Sequence, residues 1–107
     1  MRQLILLRHA HAESATSGQD DLERPLSETG RAEARAAGDW LREHGLQPDR
    51  VLSSSAARTR ETLAALGDIG GAEVHEDASI YEASPGTLVA LADANRDAER
   101  LLLVGHN

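Results

Sequence analysis

Four residues of the chain have side chains suited to phosphoryl transfer, and three apolar runs precede them. Arg8 and His9 end the run LILLRH, His106 ends the run LLLVGH, and Arg58 lies in SSSAARTRET, just after RVLS. Guanidinium groups offer paired donors that match the oxygens of a phosphate. An imidazole can attack phosphorus and carry the phosphoryl group covalently, and a second, cationic imidazole can stabilise charge on the transferring oxygens.

The elements that must position these residues start with a strand over 2–8, which we expect to be buried because its apolar run is continuous. A loop over 9–27 follows, with SATSGQDD as its most mobile part. The first helix is predicted over 28–44, since Ser27 can cap its start and Gly45 can end it.

The rest of the chain continues the alternation of strands and helices. The further predicted elements are a strand over 50–53, a helix capped by Ser54 or Ser55 and running to Leu66, a weak strand over 73–76, a helix from Ser84-Pro85 to Asn95, and a buried strand over 101–105. This order predicts an α/β fold, a three-layer sandwich with a mostly parallel central sheet flanked by helices, in one domain over 1–107. Ligands of such sheets bind beyond the carboxyl ends of the strands, so the reactive residues are expected to converge there.

Composition limits the classes of partner. The 107 residues carry a net charge of −7, which argues against broad binding to nucleic acid or to anionic membranes. The chain has no cysteine, hence neither a disulfide frame nor a thiolate zinc site. The amino-terminal apolar run is too short for a signal peptide, and we expect a cytoplasmic monomer.

Four ordered motifs resemble those of the histidine phosphatase superfamily, which has the phosphoglycerate mutase-like fold. LLRHAHAES is similar to its Arg-His-Gly signature, and LLLVGHN to its strand ending in Gly-His. Ser54, Arg58 and Thr62 match a second motif, and ERPLSETGRAEA matches the segment that precedes the first helix. The short chain and the Arg-Pro-Leu form are most similar to the SixA-type phosphohistidine phosphatase branch.

The resemblance implies a role for each matching residue. His9 would be the nucleophile that becomes phosphorylated, and Arg8, Arg58 and His106 would surround the phosphoryl group. Arg24 would be a further substrate contact; alternatively, it is a loop arginine paired with Glu23 or Asp21. No cofactor and no metal are implied.

Two further candidates are Glu82 and His11. Breaking a phosphate ester needs an acid to protonate the leaving alkoxide. Many members of the superfamily have an acidic residue where Glu82 lies, just before the third helix; otherwise Glu82 is a solvated carboxylate. His11 would either contact the substrate at the mouth of the pocket or simply lie on the loop.

The chain departs from the family pattern in two respects. Ala10 replaces the glycine of the signature; alanine is small enough for the loop to pass close to a phosphate, but it does not favour a positive φ. Members usually continue for some tens of residues beyond the position of Asn107, so we expect a domain whose carboxyl-terminal part is missing.

Several functions remain open at this point. The first is a metal-independent phosphatase acting on phosphohistidine of a protein partner, with a small phosphorylated metabolite as the alternative substrate. A catalytically silent phosphate-binding module is the second. A metallohydrolase is the third, since His9 and His11 have the spacing of metal ligands and His106 could be another. A mutase is less favoured, because the chain lacks insertions that would shield a phosphorylated intermediate.

Overall fold

The computed structural model describes residues 3–14, 18 and 20–106, so part of the segment predicted to be most mobile lies outside the described residues. The strands are β1 (Gln3–Arg8), β2 (Arg50–Ser53), β3 (Glu73–Glu76) and β4 (Arg100–Gly105). The helices are α1 (Glu28–Glu43), α2 (Ala57–Ala65) and α3 (Pro85–Ala94), and two short 3-10 turns cover Asp21–Glu23 and Ala78–Ile80. The predicted strands and helices are all present, whereas the 3-10 turns were not expected.

The four strands form one parallel sheet in the order β1-β4-β2-β3. In its register Arg8 pairs with Gly105, and Ser53 pairs with Val104. The ends of β1, β4 and β2 therefore lie side by side. The residues that follow these ends, His9, Ser54 and His106, are brought together as the topology predicts.

The sheet lies between two layers of helices, which confirms the predicted α/β sandwich. One face packs a cluster of Val51, Leu66, Leu102 and Val104, flanked by residues of α1 and α2. The other face packs a cluster of Leu52, Ile80, Ala92, Ala98, Leu101 and Leu103, against which α3 places Leu88 and Leu91. Within the described ranges, no helix is long and apolar enough to cross a membrane.

Helix α1 begins and ends where the sequence predicts. The Ser27 side chain caps it by accepting a hydrogen bond from Gly30 N at 3.0 Å, and Gly45 follows its end with a φ of +64°. A Cβ on Gly38 would lie 1.9 Å from the carbonyl oxygen of Leu66. Glycine at this position therefore lets α1 approach the end of α2 closely.

The predicted cap of α2 is wrong. The helix starts at Ala57, and its N-cap is Ala56, which provides no side-chain cap. Ser54 lies too early in the chain to cap the helix, and its hydroxyl is occupied near the end of β4, where it bonds His106. Arg58 nevertheless lies in the first turn of α2, as expected.

The expectation that β1 is buried is also wrong. β1 is an edge strand, and its residues alternate between exposed and half-buried. Ile5 and Leu7 pack against the cluster beneath α1 and α2, whereas Leu4 and Leu6 on the opposite face are 42% and 55% exposed. The apolar run of β1 is typical of a strand covered on both faces, and the described residues cover only one.

Candidate active site

His9 directly follows β1 and lies at the carboxyl end of the sheet. Its backbone N–H donates to Gly105 O at 2.9 Å, and its Nδ1 lies 2.7 Å from Ala10 O. A carbonyl oxygen only accepts, so Nδ1 carries the proton and the lone pair is left on Nε2. Burial lowers the pKa of His9 below its ordinary value, and the nearby charge of Arg58 lowers it further. His9 is therefore neutral at pH 7, with Nε2 available as a nucleophile.

Thr62 connects the loop after β1 to helix α2. Its Oγ1 accepts a hydrogen bond from Ala10 N at 3.0 Å and donates one to Arg58 O at 2.7 Å. The threonine of the second motif thus fixes the backbone next to His9. None of the described residues other than glycine has a positive φ, so Ala10 fits this loop without strain, as expected from its small side chain.

His106 faces His9 across the site, with their ring centroids 5.3 Å apart. Its Nε2 lies 2.9 Å from Ser54 Oγ, and that oxygen also accepts a hydrogen bond from Ala56 N. Burial lowers the pKa of His106 to about 4, and the charges of Arg58 and His9 act in the same direction. His106 is therefore neutral at pH 7 in these surroundings, and a cationic second imidazole during phosphoryl transfer stays a prediction. A bound dianion would raise this pKa by its charge.

Arg58 is a buried cation at the centre of the site, with a relative exposure of 5%. Its Nη1 donates to the backbone oxygen of Asp21 at 2.8 Å, and its Nη2 donates to the Asp21 carboxylate at 3.0 Å. Arg24 pairs with the same carboxylate at 3.2 Å. The alternative that Arg24 pairs with Asp21 is thus observed, and this pairing also places Arg24 beside Arg58.

Three buried nitrogen atoms of the site have no hydrogen-bond partner among the described residues. They are Nε of Arg24, Nε of Arg58 and Nδ1 of His106, and the part of the chain that the structure describes has no other buried side-chain polar atom in this state. Buried polar groups are nearly always hydrogen-bonded, so such a cluster needs an explanation. The two guanidinium N–H groups are donors, and Nδ1 of His106 is a third donor when Nε2 accepts from Ser54. An anion is the kind of partner that such donors lack.

Arg8 and His11 lie on the wall of an open cleft of about 450 Å³ that leads to His9. Both are exposed. The Oγ of Ser27 donates to His11 O at 3.0 Å, so the contact of 2.6 Å between His11 Nδ1 and Ser27 Oγ has the imidazole as donor. The structure therefore brings His11 to the mouth of the site and leaves only its Nε2 without a described partner.

Glu82 is the predicted site residue that the structure does not connect to the others. It is exposed, and within the described residues its carboxylate makes no hydrogen bond or ion pair. Its role as a proton donor stays a prediction.

Sequence reasoning missed two members of the site. Tyr81 donates a hydrogen bond to the Asp21 carboxylate, and its ring lies 5.7 Å from the Arg58 guanidinium carbon and 5.2 Å from the His106 ring. Asp21 was considered only as a partner of Arg24, three residues on. Its contact with Arg58 spans 37 residues, and no local pattern could have indicated it.

The geometry does not assemble the set of ligands that a metallohydrolase would need. His11 bonds Ser27 Oγ through Nδ1, whereas the ring of His9 contacts that of His106. The described ranges contain no group of three His, Cys, Asp or Glu side chains placed to hold a metal ion.

Comparison with known proteins connects this site to a family. Residues 4–106 match the model of the histidine phosphatase superfamily, branch 1. The crystal structure of an Agrobacterium tumefaciens protein, assigned as a phosphohistidine phosphatase of the SixA type, superposes with a TM-score of 0.92 at 36% identity, covering 97% of this chain and 68% of that one. The protein histidine phosphatase SixA complexed with tungstate gives a TM-score of 0.80 at 27% identity over 96% of this chain and 68% of that one.

Two bacterial relatives are similar in sequence. An uncharacterised protein of Mycobacterium tuberculosis is 42% identical over 100 residues, 90% of this chain and 61% of its own length. The glucosyl-3-phosphoglycerate phosphatase of Mycolicibacterium vanbaalenii is 33% identical over 100 residues, 92% of this chain and 44% of its own. The chain thus spans less than two thirds of the length of these relatives.

Proposed function

Because this chain belongs to the histidine phosphatase superfamily, branch 1, we propose that it is a phosphatase that works through a phosphorylated His9. One observation carries the proposal. The unpartnered nitrogens of Arg24, Arg58 and His106 lie in the same site as a neutral imidazole. A phosphoryl group would satisfy these nitrogens, and its phosphorus would then be within the reach of a nucleophile.

In the first step Nε2 of His9 attacks phosphorus, and the bond from phosphorus to the leaving group breaks. The guanidiniums of Arg8, Arg24 and Arg58 hold the equatorial oxygens, and His106 donates to another oxygen. A water molecule then attacks the phosphorylated His9, the P–N bond breaks, and inorganic phosphate leaves. His9 returns to its neutral form, with Nδ1–H still donated to Ala10.

We propose phosphohistidine on a protein partner as the substrate. Imidazole leaves more easily than an alkoxide, so this substrate depends less on an acid in the site. Glu82 is exposed and has no contact with the site in the described residues, which fits that lesser need. The open cleft next to Arg8 and His11 gives access to a side chain presented by another protein. The SixA-type structures to which the chain is similar support the same class.

A small phosphomonoester is the second candidate. The similarity to a glucosyl-3-phosphoglycerate phosphatase favours it. This reaction needs a proton for the leaving alkoxide, and Glu82 is the carboxylic acid that the family resemblance proposes for it.

The test is phosphate release from a phosphohistidine-bearing protein and from p-nitrophenyl phosphate, each with EDTA present. We expect release by the wild type and a loss on the order of 10³-fold or more in His9→Ala, because the covalent route is removed. His75→Ala is the matched control: His75 is exposed on β3 and contacts Glu73, and its removal should leave the rate unchanged.

The outcomes distinguish the alternatives. A preference for the phosphohistidine protein selects the first substrate class, and a preference for the ester selects the second. Activity that disappears with EDTA would contradict the histidine mechanism and favour a metallohydrolase. Binding of orthovanadate without release from either substrate would indicate a phosphate-binding module.

A further inference from the structure

Asp21 joins the two guanidiniums of the site to Tyr81. Its Oδ2 accepts hydrogen bonds from Arg58 Nη2 and from the Tyr81 hydroxyl, while its Oδ1 pairs with Arg24. Its backbone oxygen accepts a further bond from Arg58 Nη1. Asp21 thus holds Arg24 of its own loop and two side chains from distant segments, Arg58 and Tyr81.

The contacts between Asp21 and Arg58 involve one edge of the Arg58 guanidinium. A guanidinium can be approached end-on, through its two Nη atoms, or from the side, through Nε and the adjacent Nη. Asp21 takes the end-on edge with its backbone and carboxylate oxygens. The side edge keeps Nε, which is buried and has no partner among the described residues.

The Asp21 carboxylate stays ionised over the working range of pH. The hydrogen bond from Tyr81 lowers its pKa below the ordinary value, and the hydrogen bond and charge of Arg58 lower it further. An ionised carboxylate accepts hydrogen bonds at both oxygens, so Asp21 can hold Arg24 and Arg58 at the same time.

We propose that Asp21, itself fixed by Tyr81, is a positioning residue that turns the side edge of Arg58 toward the phosphoryl group and holds Arg24 beside it. This inference deepens the proposed function and rests on it, since it assigns to Arg58 an anion in the same site. Asp21 does not touch the reacting atoms, and its effect passes through the two arginines.

An opposite role for Asp21 is also conceivable, in which its carboxylate competes with phosphate for the same donors. The geometry favours positioning, because a competitor would occupy the side edge and satisfy Nε of Arg58, whereas that atom has no described partner. The two roles predict changes of opposite sign in anion affinity.

The experiment compares Asp21→Asn with Asp20→Asn by calorimetric titration with orthovanadate, and repeats both with inorganic phosphate. Asparagine keeps one acceptor oxygen and gains donors, so it cannot hold both arginines. We expect the affinity of Asp21→Asn for vanadate to fall about tenfold, the range of one charged hydrogen bond. The Asp20 side chain caps the 3-10 turn by accepting a hydrogen bond from Leu22 N, and an asparagine side chain can accept the same bond. The Asp20→Asn control therefore loses the same charge, and we expect its affinity for vanadate to be unchanged.

A second comparison tests whether the effect passes through Arg58. In an Arg58→Ala background, Asp21→Asn should weaken vanadate binding by much less than in the wild type, and Asp21→Glu should recover part of the affinity in the intact background. Tyr81→Phe should weaken binding by a smaller factor, and it serves as the variant of choice if Asp21→Asn fails to fold.

Unchanged or tighter vanadate binding in Asp21→Asn and Tyr81→Phe would overturn the proposal, and tighter binding would indicate the competitor. An equal loss in the Arg58→Ala background would overturn it as well, because Asp21 would then act elsewhere. Since these readouts are binding affinities, a protein that binds vanadate but releases no phosphate would contradict the phosphatase function and still decide the role of Asp21.

Discussion

Both ends of the sheet carry charged groups, and the two ends use them differently. At the amino end, Arg50 donates to both oxygens of Asp97, at 2.7 and 3.0 Å, and lies 3.6 Å from Glu73. Asp49 accepts from the backbone N–H groups of Glu99 and Arg100. At the carboxyl end, by contrast, buried nitrogens of two arginines and a histidine have no described partner.

This difference distinguishes charged side chains that stabilise the fold from charged side chains that are available to bind a ligand. A guanidinium such as that of Arg50, which bonds Asp97 and Asn95, stabilises the fold modestly and has little capacity for a ligand. Asp21 occupies only part of the donor set of Arg58 and leaves Nε without a described partner. The unsatisfied donors, more than the charge itself, are what support the proposed binding site at the carboxyl end.

The largest expected effect is a contrast between the two arginines. Arg58→Ala removes the buried guanidinium that is proposed to donate hydrogen bonds to the phosphoryl group. We therefore expect kcat/KM to fall on the order of 10²-fold or more. Arg50→Ala removes a surface ion pair, which should leave kcat/KM within about twofold and lower the free energy of unfolding only slightly. Steady-state kinetics and urea unfolding measure both. Equal losses of activity in the two variants would contradict the assignment of the site to one end.

A smaller contrast is expected between two glycines of α1. A Cβ at Gly30 would lie 2.0 Å from His11 O, in the loop that carries the nucleophile, and one at Gly38 would lie 1.9 Å from Leu66 O. Both backbone clashes should lower the melting temperature, despite the higher helix propensity of alanine. Only Gly30→Ala should also lower kcat, several-fold, because it displaces the loop next to His9. Equal kcat values for the two folded variants would show that this loop tolerates the shift.

The smallest expected effect is a difference between the two ends of the sheet in the pH range over which the stability of the fold changes. His106 has a pKa of about 4 in the folded chain against an ordinary 6.5, so the unfolded chain binds its proton first and stability falls as the pH drops from 6.5 toward 4. At the other end, Arg50 lowers the pKa of Asp97 below 3.8, so its contribution is lost only in more acidic solution. Melting temperatures of His106→Asn should therefore decline less than those of the wild type between pH 6.5 and 4.

Asp97→Asn is the matched variant for the pH experiment. Its melting temperature should lie below that of the wild type by a constant amount above pH 4, and the difference should shrink in more acidic solution, where the wild-type carboxylate becomes protonated. A wild-type melting temperature that is constant between pH 6.5 and 4 would contradict the lowered pKa of His106.

Local patterns in the amino-acid sequence are sufficient to predict the order of the elements and the types of residue at the strand ends. The cap provided by Ser27 and the proline at the start of α3 act within a few residues of the chain. The spacing of residues in the sequence is therefore sufficient to predict both. His9, Arg58 and His106 could be placed together because parallel strands end at one edge of a sheet, so alternation of strands and helices was sufficient.

The orientation and the protonation of these residues depend instead on tertiary contacts. The tautomer of His9 depends on the carbonyl of Ala10, the pKa of His106 on its burial, and the free edge of Arg58 on Asp21. The exposure of β1 depends on which elements pack against it. Its own apolar residues do not indicate this. Such properties arise from contacts between segments distant in the chain, and local pattern carries no information about them.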